Sequence, residues 1–89
     1  MTNFEWDDRK NASNLAKHGV SFYSAQFAFS DLKRVIMRDD KHSTRDEVRY
    51  FCLGKVDNQV MTVRFTYRAG KIRIIGAGYW RAGEKIYDK

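Results

Sequence analysis

The stretch QVMTVRFTYRAGKIRIIGAGYW, residues 59–80, decides the fold that the sequence predicts. In its first half, apolar residues from Met61 to Tyr67 alternate with Thr and Arg, which is the pattern of a strand with one face in a core. Ala69-Gly70 then favours a tight turn, and KIRIIGAGY, residues 71–79, continues as a second strand. The stretch therefore predicts a β-hairpin that buries one face.

Two further strands are predicted before this hairpin. VRYFCLG, residues 48–54, carries apolar residues on both faces, and Asp57-Asn58 favours a turn between it and the hairpin. KRVIMRD, residues 33–39, predicts a short strand with mixed faces at a sheet edge, and the polar run at 39–47 predicts a loop. The region from 33 to 79 therefore predicts four strands in succession.

The first third of the chain has helical periodicity instead. A short extended segment, Asn3 to Trp6, comes first, and the join between the two helices that follow is very short, which predicts a bent pair. The predicted helices are Asp8 to His18, with Asp7 as N-cap and Gly19 as stop, and Phe22 to Phe29, with Ser21 as N-cap. At the other end, residues 82–89 predict a short helix or a tail.

Together these elements predict one α+β domain over residues 1–89. Their order is β-α-α-β-β-β-β-α, and the two N-terminal helices are expected to pack on one face of an antiparallel sheet. No proline and no repeat interrupts the 89 residues, which favours a single domain near the lower end of what folds alone.

The composition excludes several classes of protein. One cysteine, Cys52, rules out an internal disulfide and fits a reducing compartment, and no apolar run approaches the roughly 18 residues that a membrane helix needs. We therefore expect a cytoplasmic protein that does not associate with membranes. His18 and His42 with Cys52 have no metal-ligand spacing, so neither a metal site nor a cofactor is predicted.

The positive charge is concentrated in one half of the chain. Residues 1–47 carry 8 Lys and Arg against 8 Asp and Glu, whereas residues 48–89 carry 9 against 3, which accounts for the net charge of +6. A basic surface with interleaved aromatic residues favours a polyanionic partner, because phosphates bind it and release counterions. Charge that only maintains solubility is the alternative interpretation.

Alternation along the strands predicts where the basic side chains point. If Met61 and Phe65 face the core, Arg64 points to the opposite face, and Arg73 and Tyr79 of the next strand point there as well. These three side chains are expected to form one concave basic patch. Two ordinary solvated arginines on a wet sheet face are the structural alternative.

FEWDDRKNASNLAKHGVSF, residues 4–22, and the aromatic helix after it resemble the opening of the BrnT family of bacterial type II toxins. The strands RDEVRYFCLG, VRFTY and IRII follow in the order in which that family has similar segments, so the resemblance covers nearly the whole chain. The motif F-E-W-D with N-x-x-K-H-G-V-S-F is its most specific part.

The resemblance implies a ribonuclease toxin with a RelE-like fold that inhibits translation by cutting RNA. As partner it implies a BrnA-like ribbon-helix-helix antitoxin, whose dimer binds two toxins in a heterotetramer and represses its own promoter by binding DNA. One departure matters. Many members end the last strand with I-S-A-R, where this chain has Gly76-Ala77-Gly78, and Arg81 is expected to supply the missing charge.

Cleavage of RNA through its own 2′-OH needs a proton acceptor, cations on the phosphorane and a proton donor to the leaving oxygen, but no metal. The candidate residues are Arg64, Arg73 and Arg81 as cations, Glu84 as proton acceptor, and Tyr87 or Lys85 as donor. The candidates for RNA binding are Tyr79 and Trp80, which would stack on a base, and Lys17 and His18, which would contact phosphate or only stabilise the end of their helix.

A non-catalytic RNA- or DNA-binding module, whose basic sheet face only grips phosphates, is the second hypothesis. Both hypotheses predict salt-dependent binding. Glu84 and Tyr87 separate them, because a surface that only grips phosphate has no use for an acid and a phenol beside its arginines.

Overall fold

Five strands form one mixed sheet in the computed structural model, which describes residues 3–89. Their order across the sheet is β1-β5-β4-β3-β2. The strands are β1 Phe4–Trp6, β2 Val35–Asp39, β3 Arg49–Val56, β4 Gln59–Arg68 and β5 Lys71–Gly78. The four strands predicted between residues 33 and 79 are confirmed, with limits that move by at most two residues.

One edge of the sheet differs from the prediction. The strands β2 to β5 are antiparallel to their neighbours, but β1 pairs with β5 in parallel, with Phe4 opposite Ile72 and Trp6 opposite Ile74. The prediction of an antiparallel sheet is therefore wrong at β1. Short turns force their two strands to be antiparallel, whereas no turn joins β1 to β5, so packing decides the direction of β1.

The first helix, α1, runs from Asp8 to His18, as predicted. The Asp7 carboxylate accepts hydrogen bonds from the backbone N–H groups of Arg9 and Lys10, at 2.8 and 3.1 Å, and so caps the helix. Gly19 ends it with φ at 68°, a left-handed conformation that glycine adopts without steric cost. Both limits of α1 are thus consequences of local sequence.

The second helix is shorter than predicted. The α-helix α2 spans Phe22–Ala25, and the chain continues as a 3-10 helix over Gln26–Ser30. This 3-10 segment lies directly on β3, because a Cβ at Gly54 would be 2.1 Å from the carbonyl oxygen of Ala28. The missing side chain at Gly54 lets the two backbones touch.

The main core lies between the sheet and the segment formed by α2 and the 3-10 helix, and no residue of α1 belongs to it among those described. Met61, Val63 and Phe65 of β4 are fully buried there, as the alternation predicted. Tyr67 is 56% exposed, and Thr62 and Thr66 on the opposite face of β4 are buried as well, so the alternation does not extend over the whole strand. The buried residues of this core are Val20, Phe22, Ala25, Ala28, Cys52, Val56, Met61, Val63, Phe65, Ile72, Ile74 and Ala77. Burial of this apolar surface is the main source of stability for the fold.

A β-bulge in β5 changes which residues face the core. Phe65 pairs with Ile74 but Arg64 pairs with Gly76, so that Ile75 is an extra residue on β5. Beyond the bulge, Ala77 enters the core and Gly76 and Gly78 face the side of the sheet that carries Arg64. Strict alternation would place Ile75 on the solvent-exposed face of the sheet. The bulge explains why an apolar residue stands at this position, because Ile75 is the extra residue.

Asn14 fastens α1 to β5. Its side-chain amide donates to the carbonyl oxygens of Val20 and Ala77, both at 2.9 Å, and its carbonyl oxygen accepts from the backbone N–H of Ala77 at 3.2 Å. The residue is 8% exposed. A buried asparagine thus satisfies the backbone of Ala77 just beyond the bulge.

The C-terminal segment forms a helix, α3, over Arg81–Tyr87, on the face of the sheet opposite the main core. Gly83 is buried against β4, where a Cβ would be 2.1 Å from the hydroxyl oxygen of Thr62. Within the described residues, Thr62 Oγ1 has no hydrogen-bond partner. No helix among residues 3–89 is long and apolar enough to cross a bilayer.

Candidate functional site

A groove of about 270 Å³ lies between α1 and the end of β5. We call it the basic groove, since four of its residues carry a basic side chain. Its lining residues are Lys10, Ser13, Asn14, Lys17, His18, Arg64, Ile75, Gly76 and Trp80. The groove therefore brings together one arginine of the sheet and three basic residues of a single helix.

Arg64 lies on the sheet side of the basic groove. Its guanidinium lies over Gly76, where a Cβ would be 3.3 Å from Nε and 3.4 Å from Nη2. Nε is buried without a hydrogen-bond partner, and none of the ion pairs formed among residues 3–89 includes Arg64. A half-buried guanidinium with unused hydrogen-bonding capacity is suited to binding an anion.

Helical periodicity brings several side chains of α1 to one side of the basic groove. Lys10, Asn14, Lys17 and His18 are spaced by four, three and one residues, which places them along one face of α1. Lys10, Lys17 and His18 are exposed and, in the part of the chain that the structure describes, form no ion pair. Sequence reasoning missed Lys10, Ser13 and Asn14, although this helical spacing was the signal that could have found them.

Trp80 forms the wall of the basic groove beyond the end of β5. Its indole lies over Gly78, where a Cβ would be 2.6 Å from Cζ2, and its ring meets that of His18 edge to face at 5.2 Å. The two glycines after Ile75 thus have separate uses. Gly76 makes room for the guanidinium of Arg64, and Gly78 makes room for the indole.

A second cavity, of about 390 Å³, lies on the other side of Arg64 and Trp80, under α3. We call it the apolar pocket. It is lined by Met37, Phe51, Leu53, Thr62, Arg64, Trp80, Ala82, Gly83 and Ile86. The site therefore consists of a basic compartment and an apolar compartment that share two side chains.

Arg73 lies on the same face of the sheet but is already paired. Its Nη1 is 3.1 Å from Oε2 of Glu5 on β1, and it stands opposite Thr66 in the register of β4 and β5. It is not one of the residues that line the basic groove. The structure thus separates Arg73 from Arg64, because the parallel pairing of β1 with β5 places the carboxylate of Glu5 beside Arg73.

Tyr79 lies away from the basic groove. Its hydroxyl donates to the carbonyl oxygen of Val56 at 3.4 Å, and burial raises the pKa of its phenol. It lines a separate cavity with Glu84 and Lys55. The bulge explains this placement, since it reverses the alternation that predicted Tyr79 beside Arg64.

Tyr87 is engaged elsewhere. Its hydroxyl donates to Oδ2 of Asp31 at 2.5 Å, and this hydrogen bond raises the pKa of Tyr87 to about 12. The backbone N–H of Lys55, the hydroxyl of Tyr87 and the backbone N–H of Lys33 lower the pKa of Asp31 to about 2. The hydroxyl of Tyr87 therefore fastens the end of α3 to the loop before β2.

The remaining candidates on α3 are Arg81, Glu84 and Lys85. All three are exposed, and none lines the basic groove or the apolar pocket. Of the ten predicted site residues, the structure therefore brings four to the basic groove, namely Lys17, His18, Arg64 and Trp80.

Two further observations concern reactive or metal-binding groups. Cys52 is fully buried, and burial raises the pKa of its thiol to about 12. It behaves as a small core residue, since the thiol is reactive only as a thiolate. Residues 3–89 contain no group of three His, Cys, Asp or Glu side chains placed to hold a metal ion.

Comparison with known proteins assigns the chain to a family. A search of curated proteins gives no match, but residues 6–84 match the family model described as the ribonuclease toxin BrnT of a type II toxin-antitoxin system. The match begins in β1 and ends within α3, so it includes every residue of the basic groove. Toxins of type II systems have a protein antitoxin as partner. The chain belongs to the BrnT family of ribonuclease toxins.

Proposed function

We propose that this protein is an endoribonuclease that cleaves RNA in the basic groove, by attack of the 2′-OH on the adjacent phosphate. The observation that carries the proposal is Arg64, a half-buried guanidinium without a carboxylate partner among the described residues, facing a groove with Lys17 and His18. Arginine suits a phosphate that gains charge, because it contacts two oxygens and keeps its proton.

His18 is the proposed proton carrier in the groove. An imidazole can take the proton of the 2′-OH at one ring nitrogen and give a proton to the 5′-oxygen that leaves, which makes histidine the side chain most often used as general acid and base. Trp80 packs edge to face on His18 and holds the imidazole beside the groove. Lys10 and Lys17 bind the neighbouring phosphates as point charges.

The reaction needs no metal in this proposal. The nucleophile belongs to the substrate, Arg64 stabilises the charge of the phosphorane, and His18 moves the proton. Glu84 and Tyr87, which the sequence suggested as proton acceptor and proton donor, lie outside the groove and are not given these roles. Arg73 and Arg81 are left as contacts for more distant phosphates.

A RelE-like fold is part of the same proposal. It is supported by the order β1-α1-α2-β2-β3-β4-β5-α3 and by a core in which Phe22 and Ala25 of α2 pack with Val63 and Phe65 of β4. Of the two N-terminal helices, α2 packs on the core face of the sheet, whereas α1 lies beside the end of β5 and lines the basic groove. The opposite face carries Arg64 and is partly covered by α3.

In the cell, we propose that the protein arrests growth by inhibiting translation in the cytoplasm. Its antitoxin would be a BrnA-like ribbon-helix-helix protein, whose dimer binds two toxins in a heterotetramer and represses its own promoter. Family membership supports a toxin with a protein antitoxin. An acidic antitoxin segment would be attracted by the excess of positive charge in residues 48–89.

A non-catalytic module that grips RNA or DNA is the second candidate function. It is favoured by one observation, that the predicted acid and phenol, Glu84 and Tyr87, do not meet the arginine in the groove. On this candidate function, His18 contacts phosphate and transfers no proton. Replacement of His18 by Gln distinguishes the endoribonuclease from the non-catalytic module. In the endoribonuclease, the variant would lose RNA cleavage and keep salt-dependent RNA binding.

The test is incubation of the purified protein, freed of any partner, with naked RNA in EDTA. Wild type is compared with Arg64→Ala and with Arg68→Ala, a matched control that removes an arginine of the same strand paired with Glu47. We expect cleavage by wild type and Arg68→Ala and none by Arg64→Ala. Full cleavage by Arg64→Ala would remove Arg64 from the mechanism, and binding without cleavage by all three proteins would favour the non-catalytic module.

A further inference from the structure

The apolar pocket adjoins the basic groove and has no role in the proposed cleavage. Arg64 and Trp80 line both cavities, so that a molecule placed against these two side chains reaches into either compartment. A ligand with one anionic part and one apolar part would use both at once. A nucleotide has this construction, since its phosphate and its base are attached to a single sugar.

The walls of the apolar pocket are suited to a flat ring. Phe51 and the indole of Trp80 contribute aromatic surface, and Met37 and Ile86 contribute flexible aliphatic surface at the open side. Unpaired bases stack on aromatic side chains irrespective of sequence, because every base has a π-face. The pocket volume of about 390 Å³ leaves room for one base.

Few polar groups face this pocket. Thr62, Arg64 and the indole N–H of Trp80 are the polar side-chain groups among its lining residues. The hydroxyl of Thr62 is covered by Gly83, since a Cβ there would be 2.1 Å away, and Nε of Arg64 is buried. The pocket thus offers surface for stacking rather than groups that read the Watson–Crick edge of a base, and it would discriminate by ring size.

We propose that the apolar pocket binds the base of the nucleotide whose phosphate lies in the basic groove, and that it prefers purines to pyrimidines. The proposal rests on the function proposed above and names a substrate-binding site within it. A purine has the larger stacking surface, and stacking of one base changes affinity about tenfold or more. An apolar side chain of the antitoxin is the competing occupant, which the test distinguishes.

Binding is tested by NMR with DNA, which lacks the 2′-OH and is not cleaved by this route. The probes are a deoxyadenosine hexamer, a deoxycytidine hexamer and an abasic hexamer with the same phosphates. We expect the adenine hexamer to shift the methyl resonances of Leu53 and Ile86, and the abasic hexamer to shift only the amides of Lys17 and His18. The cytosine hexamer should bind about tenfold more weakly than the adenine hexamer.

A matched pair of variants then tests whether the base binds in the apolar pocket. Ala82→Phe puts a ring into the pocket, whereas Ala12→Phe puts the same ring on an exposed position of α1 outside both cavities. Ala82→Phe should weaken binding of the adenine hexamer about tenfold and leave the abasic hexamer unaffected. Ala12→Phe should change neither affinity.

The outcomes separate the two proposals. Methyl shifts without any RNA cleavage by wild type would support the base pocket and overturn the cleavage mechanism. RNA cleavage with no methyl shift, or with equal shifts from the abasic hexamer, would overturn the base pocket alone. Equal affinity for the adenine and cytosine hexamers would overturn the purine preference. Methyl shifts produced only by the antitoxin would assign the pocket to that partner and overturn the proposal.

Discussion

Arg64 of β4 and Gly76 of β5 are paired across the sheet, and the guanidinium of Arg64 occupies the space where Gly76 lacks a side chain. The bulge at Ile75 brings this glycine, rather than a larger residue, opposite the arginine. The position of the Arg64 guanidinium in the basic groove therefore depends on β5 as well as on β4. A change at Gly76 is expected to act through Arg64.

Replacement of Gly76 by Val tests this relationship. A Cβ would lie 3.3 Å from Nε of Arg64, and the two γ-carbons of valine would crowd the guanidinium further and turn it out of the groove. We expect the initial rate of RNA cleavage to fall about tenfold or more, since a displaced charge stabilises the phosphorane less. The melting temperature should change little, because the end of a flexible side chain can move aside.

The control is a double-mutant cycle with Arg64→Ala. Since Arg64→Ala is not expected to cleave, the cycle is measured as affinity for the deoxyadenosine hexamer, on which Gly76→Val should have no further effect once Arg64 is absent. Equal losses in both backgrounds would show that the valine acts by some other route. Full activity of the single variant in a folded protein would refute the relationship.

Asn14→Ala is expected to destabilise the fold by about 2–4 kcal/mol. The substitution removes three hydrogen bonds and leaves the buried N–H and C=O of Ala77 without a partner, and each such group costs about 1–3 kcal/mol. Urea unfolding measures the free energy, and Ser13→Ala, on the same helix but exposed, is the control with an expected change within about 0.5 kcal/mol. Equal stability of the two variants would contradict the role of Asn14.

Gly83→Ala is expected to loosen α3. Its Cβ would be 2.1 Å from Oγ1 of Thr62, and overpacking of this kind costs about 1–3 kcal/mol. Thr62→Ala removes the clashing oxygen, which has no hydrogen-bond partner within residues 3–89, and should restore much of the stability in the double variant. Hydrogen exchange of the amides of α3 measures the effect locally. A double variant as unstable as Gly83→Ala would show that the clash is not the cause.

The hydrogen bonds to Asp31 predict a loss of stability in acid. Its pKa is lowered from 3.8 to about 2 by the N–H of Lys55, the hydroxyl of Tyr87 and the N–H of Lys33. A folded-state pKa below the unfolded one means that the stabilisation is present above about pH 4 and is lost as the pH falls toward 2. Melting temperatures of wild type and Asp31→Asn should therefore converge over this range.

Asp40→Asn serves as the control for that titration. Asp40 is exposed and, among residues 3–89, forms an ion pair only with Arg38, so its removal should shift the melting temperature little at any pH. A difference between wild type and Asp31→Asn that stayed constant down to pH 2 would contradict the lowered pKa of Asp31. Tyr87→Phe should remove part of the difference, because it removes one of the three donors.

Local patterns predicted much of the fold. The limits of α1 follow from Asp7 and Gly19, and the alternation from Met61 to Phe65 identified the face of β4 that enters the core, although Tyr67 is exposed. These features depend on neighbours within a few residues, which a sequence displays directly. The family motif in residues 4–22 also agreed with the match found over residues 6–84.

The candidate site was only partly predictable. Lys17, His18, Arg64 and Trp80 meet in the basic groove, but Arg73 is paired with Glu5, and Tyr87 is bound to Asp31. Both partners are more than fifty residues away in the chain. No local pattern indicates an ion pair across parallel strands or a hydrogen bond from the last helix to a distant loop.

The sequence by itself determined the class of the domain, the number of strands between residues 33 and 79, and the presence of an arginine on the face opposite the core. Tertiary structure alone decided the parallel pairing of β1, the bulge at Ile75 and the meeting of α1 with Arg64. The physical reason is that turns, caps and alternation are set by short-range sterics and hydrogen bonds. A bulge and a groove depend instead on elements that are distant in sequence. These elements form hydrogen bonds with one another's backbone groups and pack their side chains into the space between them.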